Sequence, residues 1–158
     1  MYKSPSRIAQ NVRASIADAL NKILVDGLDL HSQIKVAHWN IKGPHFAALH
    51  PLFETFAVSL AGYNDEIAER AVTLGGKAEG TARQVARNST LTDYPPDIVQ
   101  DLELVELLAS RIEAYLDAVR SARGVAEMSS DTDTVDLLTT VASKFEKHAW
   151  FLRAMLGK

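Results

Sequence analysis

The sequence has no cysteine among its 158 residues. This absence excludes disulfide scaffolds, catalytic thiolates and thiolate metal sites. A metal site in this chain must therefore use histidine, aspartate and glutamate, which suit iron, manganese or zinc. Histidine is itself scarce, with five residues in the chain, yet three of them fall in the stretch HWNIKGPHFAALH, from His38 to His50. That stretch is the first candidate for a functional site.

Long apolar runs and excess positive charge are also missing. No apolar run reaches the roughly 18 residues that a membrane span requires, and MYKSPSRIAQ at the N-terminus holds no apolar segment of the signal-peptide kind. We therefore expect a cytoplasmic protein without membrane contact. Association with the nucleoid is left open. The formal net charge of −3 disfavours a large nucleic-acid surface. The length and the 47% of hydrophobic residues predict a single domain over residues 1–158.

Apolar residues recur with helical spacing in four segments, and none of them alternates with period two. The stripes begin at Ile8, Phe53, Ile98 and Leu138. Short connections at Gly43-Pro44 and at SSDTDT join the first to the second and the third to the fourth helix. The connection from about 77 to 96 is long and predicts a short helix around Ala82–Arg87. The expected fold class is all-α, a ferritin-like four-helix bundle with this short extra helix.

The same signals predict where individual helices begin and end. The first helix is expected to begin near residue 5, which leaves a short tail over residues 1–5. Gly75-Gly76 is expected to end the second helix, because glycine suits a left-handed C-cap. Asp97 is expected to cap the third helix, and Asp131 or Asp133 the fourth.

The second helix carries an acidic pair, Asp65 and Glu69, four residues apart and nearly opposite its apolar stripe. An isolated pair of this kind is usually a solvated surface pair. Here, however, the surrounding face is rich in small and apolar residues, which allow a second helix to approach closely. The face also holds His50 and Glu54; its other members are Val58, Ala61, Gly62, Ala68 and Val72. We expect it to be a contact surface outside the bundle core.

His50 and Asp65 are too far apart to bind one metal ion within a chain. Fifteen residues of helix separate them by about 22 Å along the axis. If two copies of the second helix cross antiparallel near Val58 at a two-fold axis, His50 of each chain lies opposite the Asp65–Glu69 region of the other, because an isologous interface makes residue i meet j and j meet i. His38, at the end of the first helix, can join His50, and Glu54 can add an oxygen. The hypothesis is two sites per dimer, each formed by both chains.

The stretches KVAHWNIKGPHFAALHPLFETF and DEIAERAVTLGGKAEGT closely resemble the Dps family, the DNA-protection-during-starvation miniferritins. The C-terminal FEKHAWFLRAMLGK resembles that family's last helix, and the resemblance extends over the chain from about residue 12. It implies a hollow dodecamer that oxidises Fe(II), usually with hydrogen peroxide but also with oxygen, stores ferric mineral and protects against oxidative stress. Zinc or manganese is an expected competitor for the metal site.

The resemblance also implies roles for individual residues. Ferroxidase ligands are expected at His38, His50, Asp65 and Glu69, and Glu54 stands where many members have an aspartate ligand. Trp39 and Trp150 match tryptophans of the family, with a redox or a packing role. Acidic residues of a three-fold iron-entry pore are expected at Asp131, Asp133 and Asp136.

Other readings of the sequence remain open. His45 is expected to be a turn residue, and His31 and His148 structural or surface residues. DNA binding is expected to be weak or absent, because the tail has one lysine and twelve chains would carry about −36. The alternatives to an iron-oxidising enzyme are a nucleoid-compacting protein with an incidental metal site and a binding shell without turnover.

Overall fold

The structure, a computed structural model, describes residues 1–157. This part of the chain contains five α-helices and no strand: α1 Gln10–Asn40, α2 Phe46–Thr73, α3 Ala82–Asn88, α4 Asp101–Met128 and α5 Thr132–Met155. The prediction of an all-α four-helix bundle with a short helix in the middle connection is thus confirmed. Among residues 1–157, none of the helices combines the length and the hydropathy that a membrane span requires.

The four long helices pack around one hydrophobic core. Helix α1 contacts α2, α3 and α4, while α5 packs mainly on α4 and also contacts α2. The predicted apolar stripe of α2 lies in this core, with no exposed surface at Phe53, Phe56, Leu60 and Ile67. Each side chain of this kind stabilises the fold by about 1.5–3 kcal/mol relative to an exposed position. The opposite face of α2 therefore remains available at the surface.

Helix α1 begins at Gln10, so the expected start near residue 5 is wrong. Two contacts hold the preceding segment against the end of α2. The Tyr2 N–H donates to the Gly75 carbonyl at 2.6 Å, and the Ser4 hydroxyl donates to the Thr73 carbonyl at 3.0 Å. The Ser6 hydroxyl also accepts from the Ile8 N–H, a local bond that competes with helix formation. The segment before α1, bonded at Tyr2 and Ser4, thus forms a strap at the end of α2.

Helix α4 begins at Asp101 with Gln100 at its N-cap, so the expected cap at Asp97 is wrong. The reason is a pairing of backbone groups between distant parts of the chain. The Lys42 N–H donates to the Val99 carbonyl at 2.8 Å, and the Asp101 N–H donates to the Lys42 carbonyl at 2.9 Å. This parallel bridge holds the backbone extended up to Gln100. The helix can begin only after it.

The other two predicted helix ends are confirmed. Gly75 follows the C-cap of α2 with a φ of 91°, the left-handed conformation that favours glycine. Asp131 is the N-cap of α5. Its carboxylate accepts from the Thr134 hydroxyl at 2.5 Å and from the Arg70 guanidinium at 2.6 Å. Arg70 thereby ties α2 to the start of α5.

Candidate metal centre

His38 and His50 lie together, as the sequence predicted. His38 is in the last turn of α1, and His50 is in the second turn of α2. The connection over residues 41–45 reverses the chain between them. The two imidazole rings stack with their centroids 3.8 Å apart and their planes inclined by 25°. Phe46 lies beside this pair, its ring 5.0 Å from that of His50.

Each of these histidines is held by the backbone of the other. Nδ1 of His38 lies 2.7 Å from the carbonyl oxygen of His50, and Nδ1 of His50 lies 2.9 Å from the carbonyl oxygen of His38. A carbonyl oxygen can only accept, so both Nδ1 atoms carry the hydrogen. In the neutral rings, Nε2 therefore keeps its lone pair. Two neighbouring imidazoles oriented in this way are suited to bind a divalent transition metal ion.

Glu54 lies beside the histidine pair and is already engaged by a cation. Its Oε2 is 3.5 Å from Nε2 of His38 and forms an ion pair with Nζ of Lys35. The hydrogen bond from Lys35 lowers the pKa of the Glu54 carboxyl group. Nζ of Lys35 also lies 5.7 Å from the centre of the Trp39 ring. The oxygen of Glu54 nearest to His38 is thus shared with Lys35, so a metal ion at His38 would compete with the lysine for it.

Sequence reasoning missed Lys35. Its spacing was a usable signal, because residue 35 precedes His38 by three positions and so shares its face of α1. A lysine on a helix usually points to solvent, which masked that signal. Its contact with Glu54 depends on the register between α1 and α2, a relation that the separate sequences of two helices do not reveal.

Asp65 and Glu69 are exposed on the same helix as His50, further towards its C-terminal end. Since α2 is continuous over this span, His50 and Asp65 are about 22 Å apart. Within residues 1–157, no group of three His, Asp or Glu side chains is placed to hold a metal ion. Each chain thus presents an imidazole pair and a separate carboxylate pair.

The outer face of α2, between these two pairs and just beyond Glu69, has exposed apolar side chains. Val58 is 64% exposed and Val72 is 49% exposed on the outer face of α2. A groove of about 370 Å³ runs between α1, α2 and residues 78–80 and is lined by Leu24, Leu28, His31, Ala61, Asp65 and Ala68. Burial in this groove, reinforced by the charge of Lys35, lowers the pKa of His31. The exposure of large apolar side chains here fits the expected contact surface.

The three aspartates expected at a pore differ in their surroundings. Asp131 is 3% exposed and is occupied by capping α5 and by its ion pair with Arg70. Asp133 and Asp136 are exposed. Asp136 lines a surface groove of about 620 Å³ together with Glu127, Ser130, Thr132, Val135 and Thr139. Asp133 lies 3.9 Å from the Arg70 guanidinium at the surface, so both exposed carboxylates can be reached by an ion in solution.

The two tryptophans lie outside the bundle core. Trp39 is 66% exposed and Trp150 is 56% exposed. Trp39 directly follows His38 in the sequence. Trp150 lies on α5 beside Phe151, with their ring centres 5.0 Å apart. Neither indole packs in the core of its own chain.

Comparison with known proteins gives one consistent family. Residues 17–158 match the family model of the ferritin-like domain. The chain is 34% identical over 153 residues to the DNA protection during starvation protein of Agrobacterium fabrum, covering 97% of this chain and 94% of that protein. It is 35% identical over 145 residues to the protein of the same name from Mycolicibacterium smegmatis, covering 90% and 78% of the two chains.

The fold gives the same result. The solved structure of DpsC from Streptomyces coelicolor superimposes with a TM-score of 0.91 at 33% identity, and the match covers 98% of this chain and 90% of that one. The similarity extends over the helices that carry the imidazole pair and the carboxylate pair. On the sequence and on the fold alike, the chain belongs to the Dps family of ferritin-like proteins.

Proposed function

We propose that this protein oxidises and stores iron, with Fe(II) as its substrate. The observation that carries the proposal is the reciprocal pair of hydrogen bonds between His38 and His50, which occupies both Nδ1 atoms and leaves the Nε2 lone pairs available to bind a metal ion. The partner subunit's Asp65 and Glu69 complete the site across a two-fold axis. Imidazole nitrogens suit Fe(II), and carboxylate oxygens stabilise the Fe(III) product. The exposed apolar face of α2 supports the required contact between copies.

The proposed chemistry couples two iron ions to one peroxide molecule. Each of two Fe(II) ions loses one electron, and hydrogen peroxide takes both electrons and two protons as its O–O bond breaks to give two water molecules. Coupled in this way, the reaction releases no hydroxyl radical, which gives the protein its protective role. Glu54 is proposed as an additional ligand, which would help to hold the second iron ion. Oxygen is the alternative oxidant, and zinc and manganese are the expected competitors.

The remaining assignments follow from family membership and from the exposed groups. We propose a hollow dodecamer in the cytoplasm, with ferric mineral stored inside. Iron entry would use Asp133 and Asp136, whereas Asp131 serves the fold through Arg70. Trp39 and Trp150 are exposed in the single chain and available for a redox or packing role.

The experiment that tests this function is anaerobic addition of Fe(II) followed by peroxide, with oxidation followed by absorbance. The wild type is expected to oxidise iron rapidly, and the double variant His38→Ala/Asp65→Ala to lose this activity. Glu66→Ala is the matched control, because Glu66 is an exposed carboxylate next to Asp65 on α2. Undiminished oxidation in the double variant would reject the proposed site. Binding without oxidation in the wild type would instead favour a shell without turnover.

DNA compaction is the alternative function, and two observations disfavour it. Each chain carries a net charge of −3, which opposes binding to phosphate. The N-terminal strap is bonded at Tyr2 and Ser4 to the end of α2 and so is not a free basic tail. We expect little retention of plasmid DNA in a gel shift at physiological salt and neutral pH. Tight retention would support the alternative.

A further inference from the structure

The connection that carries the imidazole pair is attached to a third helix. Residues 41–45 join α1 to α2, and Lys42 among them forms the two backbone hydrogen bonds with Val99 and Asp101 at the start of α4. His38 and His50 flank this connection on either side. The meeting of their rings therefore depends on a turn whose conformation α4 helps to fix.

The carboxylate of Asp101 is the centre of this attachment. Its Oδ2 accepts from the backbone N–H of His45 and from Nδ1 of the His45 ring, both at 2.8 Å. Its Oδ1 accepts from the Leu102 N–H at 2.8 Å. Asp101 is only 5% exposed, whereas the ring of His45 is largely exposed. These hydrogen bonds, led by that from the His45 backbone, lower the pKa of the Asp101 carboxyl group.

The sequence makes room for this contact at Gly43. Its φ is 140°, and a Cβ atom placed there would lie 2.4 Å from Cγ of Asp101. Any side chain at position 43 would displace the carboxylate. The turn and the buried aspartate are thus matched in shape as well as in hydrogen bonding.

We propose that Asp101 and His45 are positioning residues of the iron site, which fix the α1–α2 turn so that His38 and His50 meet with both Nδ1 atoms bonded to backbone carbonyls and both Nε2 atoms left to bind metal. The inference rests on the proposed function for its consequence in metal binding. Neither residue contacts the metal ion: they act through the turn. We call the hydrogen-bonded contact between Asp101 and His45 the clasp. Without the clasp, the turn loses its side-chain attachment to α4. The rings of His38 and His50 are then held together only by their two hydrogen bonds to each other's backbone.

The test is an anaerobic Co(II) titration of the assembled protein, with the visible spectrum as the readout. Asp101→Ala and His45→Ala are expected to weaken Co(II) binding about tenfold, as removal of groups that orient metal ligands commonly does. The double variant is expected to bind Co(II) no more weakly than Asp101→Ala, because Asp101→Ala already removes the only hydrogen bond that His45→Ala removes, the one from the His45 ring. His45→Asn is expected to recover most of the affinity, since its amide can donate from nearly the position of Nδ1.

Asp97→Ala is the matched control, because Asp97 is an exposed carboxylate that precedes the same helix. Amide hydrogen exchange in the apoprotein gives a readout without metal. In His45→Ala, residues 42–50 are expected to exchange faster than in the wild type, whereas the exchange of α5 is expected to stay the same. His45→Ala keeps the backbone bond to Asp101, so it remains informative where Asp101→Ala does not fold. Unchanged exchange over residues 42–50 together with wild-type Co(II) affinity would overturn the proposal. Failure of the wild type to bind Co(II) would instead count against the proposed function. Hydrogen exchange over residues 42–50 would then still show whether Asp101 and His45 fix the turn.

Discussion

The imidazole rings of His38 and His50 each donate from Nδ1 to the other residue's carbonyl oxygen, at 2.7 and 2.9 Å. The pair is therefore fixed before any metal ion binds, which lowers the entropic cost of assembling the ligands. The same helix that carries His50 carries Asp65 about 22 Å away. One chain thus carries both the imidazole pair and the carboxylate pair of the proposed iron site but cannot bring them together by itself.

Mixed assemblies test this separation directly. We predict that His38→Ala/His50→Ala chains and Asp65→Ala/Glu69→Ala chains are each inactive in iron oxidation. When the two are co-expressed, a mixed dimer pairs the intact imidazoles of one chain with the intact carboxylates of the other. One complete site per mixed dimer is then expected, and random pairing should restore about a quarter of the wild-type oxidation rate. No recovery in mixed shells of normal size would contradict an intersubunit site.

Removal of Lys35 is predicted to strengthen metal binding. Its ammonium group pairs with Glu54 next to Nε2 of His38, so it repels a cation bound there. Two unit charges 4 Å apart interact by about 4 kcal/mol at an effective dielectric constant of 20, and less where water screens them. Lys35→Met should therefore tighten Co(II) binding by at least about tenfold, measured by anaerobic titration.

Two further variants define that effect. Lys22→Met is the control, because Lys22 is an exposed lysine elsewhere on α1. Adding Glu54→Gln to Lys35→Met should remove part of the gain, since the released carboxylate is expected to become a ligand. Weaker Co(II) binding in Lys35→Met would show that the lysine supports the site through Glu54 instead of competing with the metal ion.

The strap predicts a specific role for Gly75. A Cβ atom at this position would lie 2.6 Å from the carbonyl oxygen of Tyr2, and the φ of 91° is itself unfavourable for alanine by about 1–2 kcal/mol. Gly75→Ala should therefore release the strap and speed tryptic cleavage after Arg7, measured by mass spectrometry. Gly124→Ala is the control, because a Cβ there meets no other atom within 4 Å. Equal cleavage rates in the two variants would contradict the strap.

The bundle and the pairing of His38 with His50 were predictable because they rest on local signals. Apolar spacing indicates the helices, and Gly43-Pro44 marks a turn short enough to bring the two histidines together. The prediction that the carboxylates come from another chain needed only the rise of a helix. It remains a prediction here, as do the roles of the individual ligands.

The wrongly predicted helix starts and the missed contact between Asp101 and His45 have a different physical origin. The start of α4 depends on the backbone hydrogen bonds of Val99 and Asp101 to Lys42, and the segment before α1 is held by the hydrogen bond of Tyr2 to Gly75, in both cases far away in the chain. Periodicity reports which face of a helix is buried, but it does not report a backbone group that is paired elsewhere. The clasp between Asp101 and His45 was missed for the same reason, because fifty-six positions separate its two members.

His148 is buried between aromatic rings and is expected to limit the stability of the fold in acid. The side chain is 3% exposed, and its ring lies 4.1 Å from that of Phe56 and 5.2 Å from that of Phe145. Neither ring nitrogen has a hydrogen-bond partner among residues 1–157. Burial, with smaller effects of Lys144 and Lys147, lowers the pKa of His148 to about 4.

The direction of the pH dependence follows from this lowered pKa. Between about pH 6.5 and about pH 4 the unfolded chain binds a proton at His148 and the folded chain does not. The contribution of the neutral ring to stability is thus complete above pH 6.5, falls as the pH decreases through this window and is lost below about 4. His148→Leu removes this titration while keeping an apolar side chain of similar volume. We therefore expect the decrease in melting temperature between pH 7.5 and pH 4.5 to be smaller in His148→Leu than in the wild type; an equal decrease would show that the protonation of His148 does not limit stability in acid.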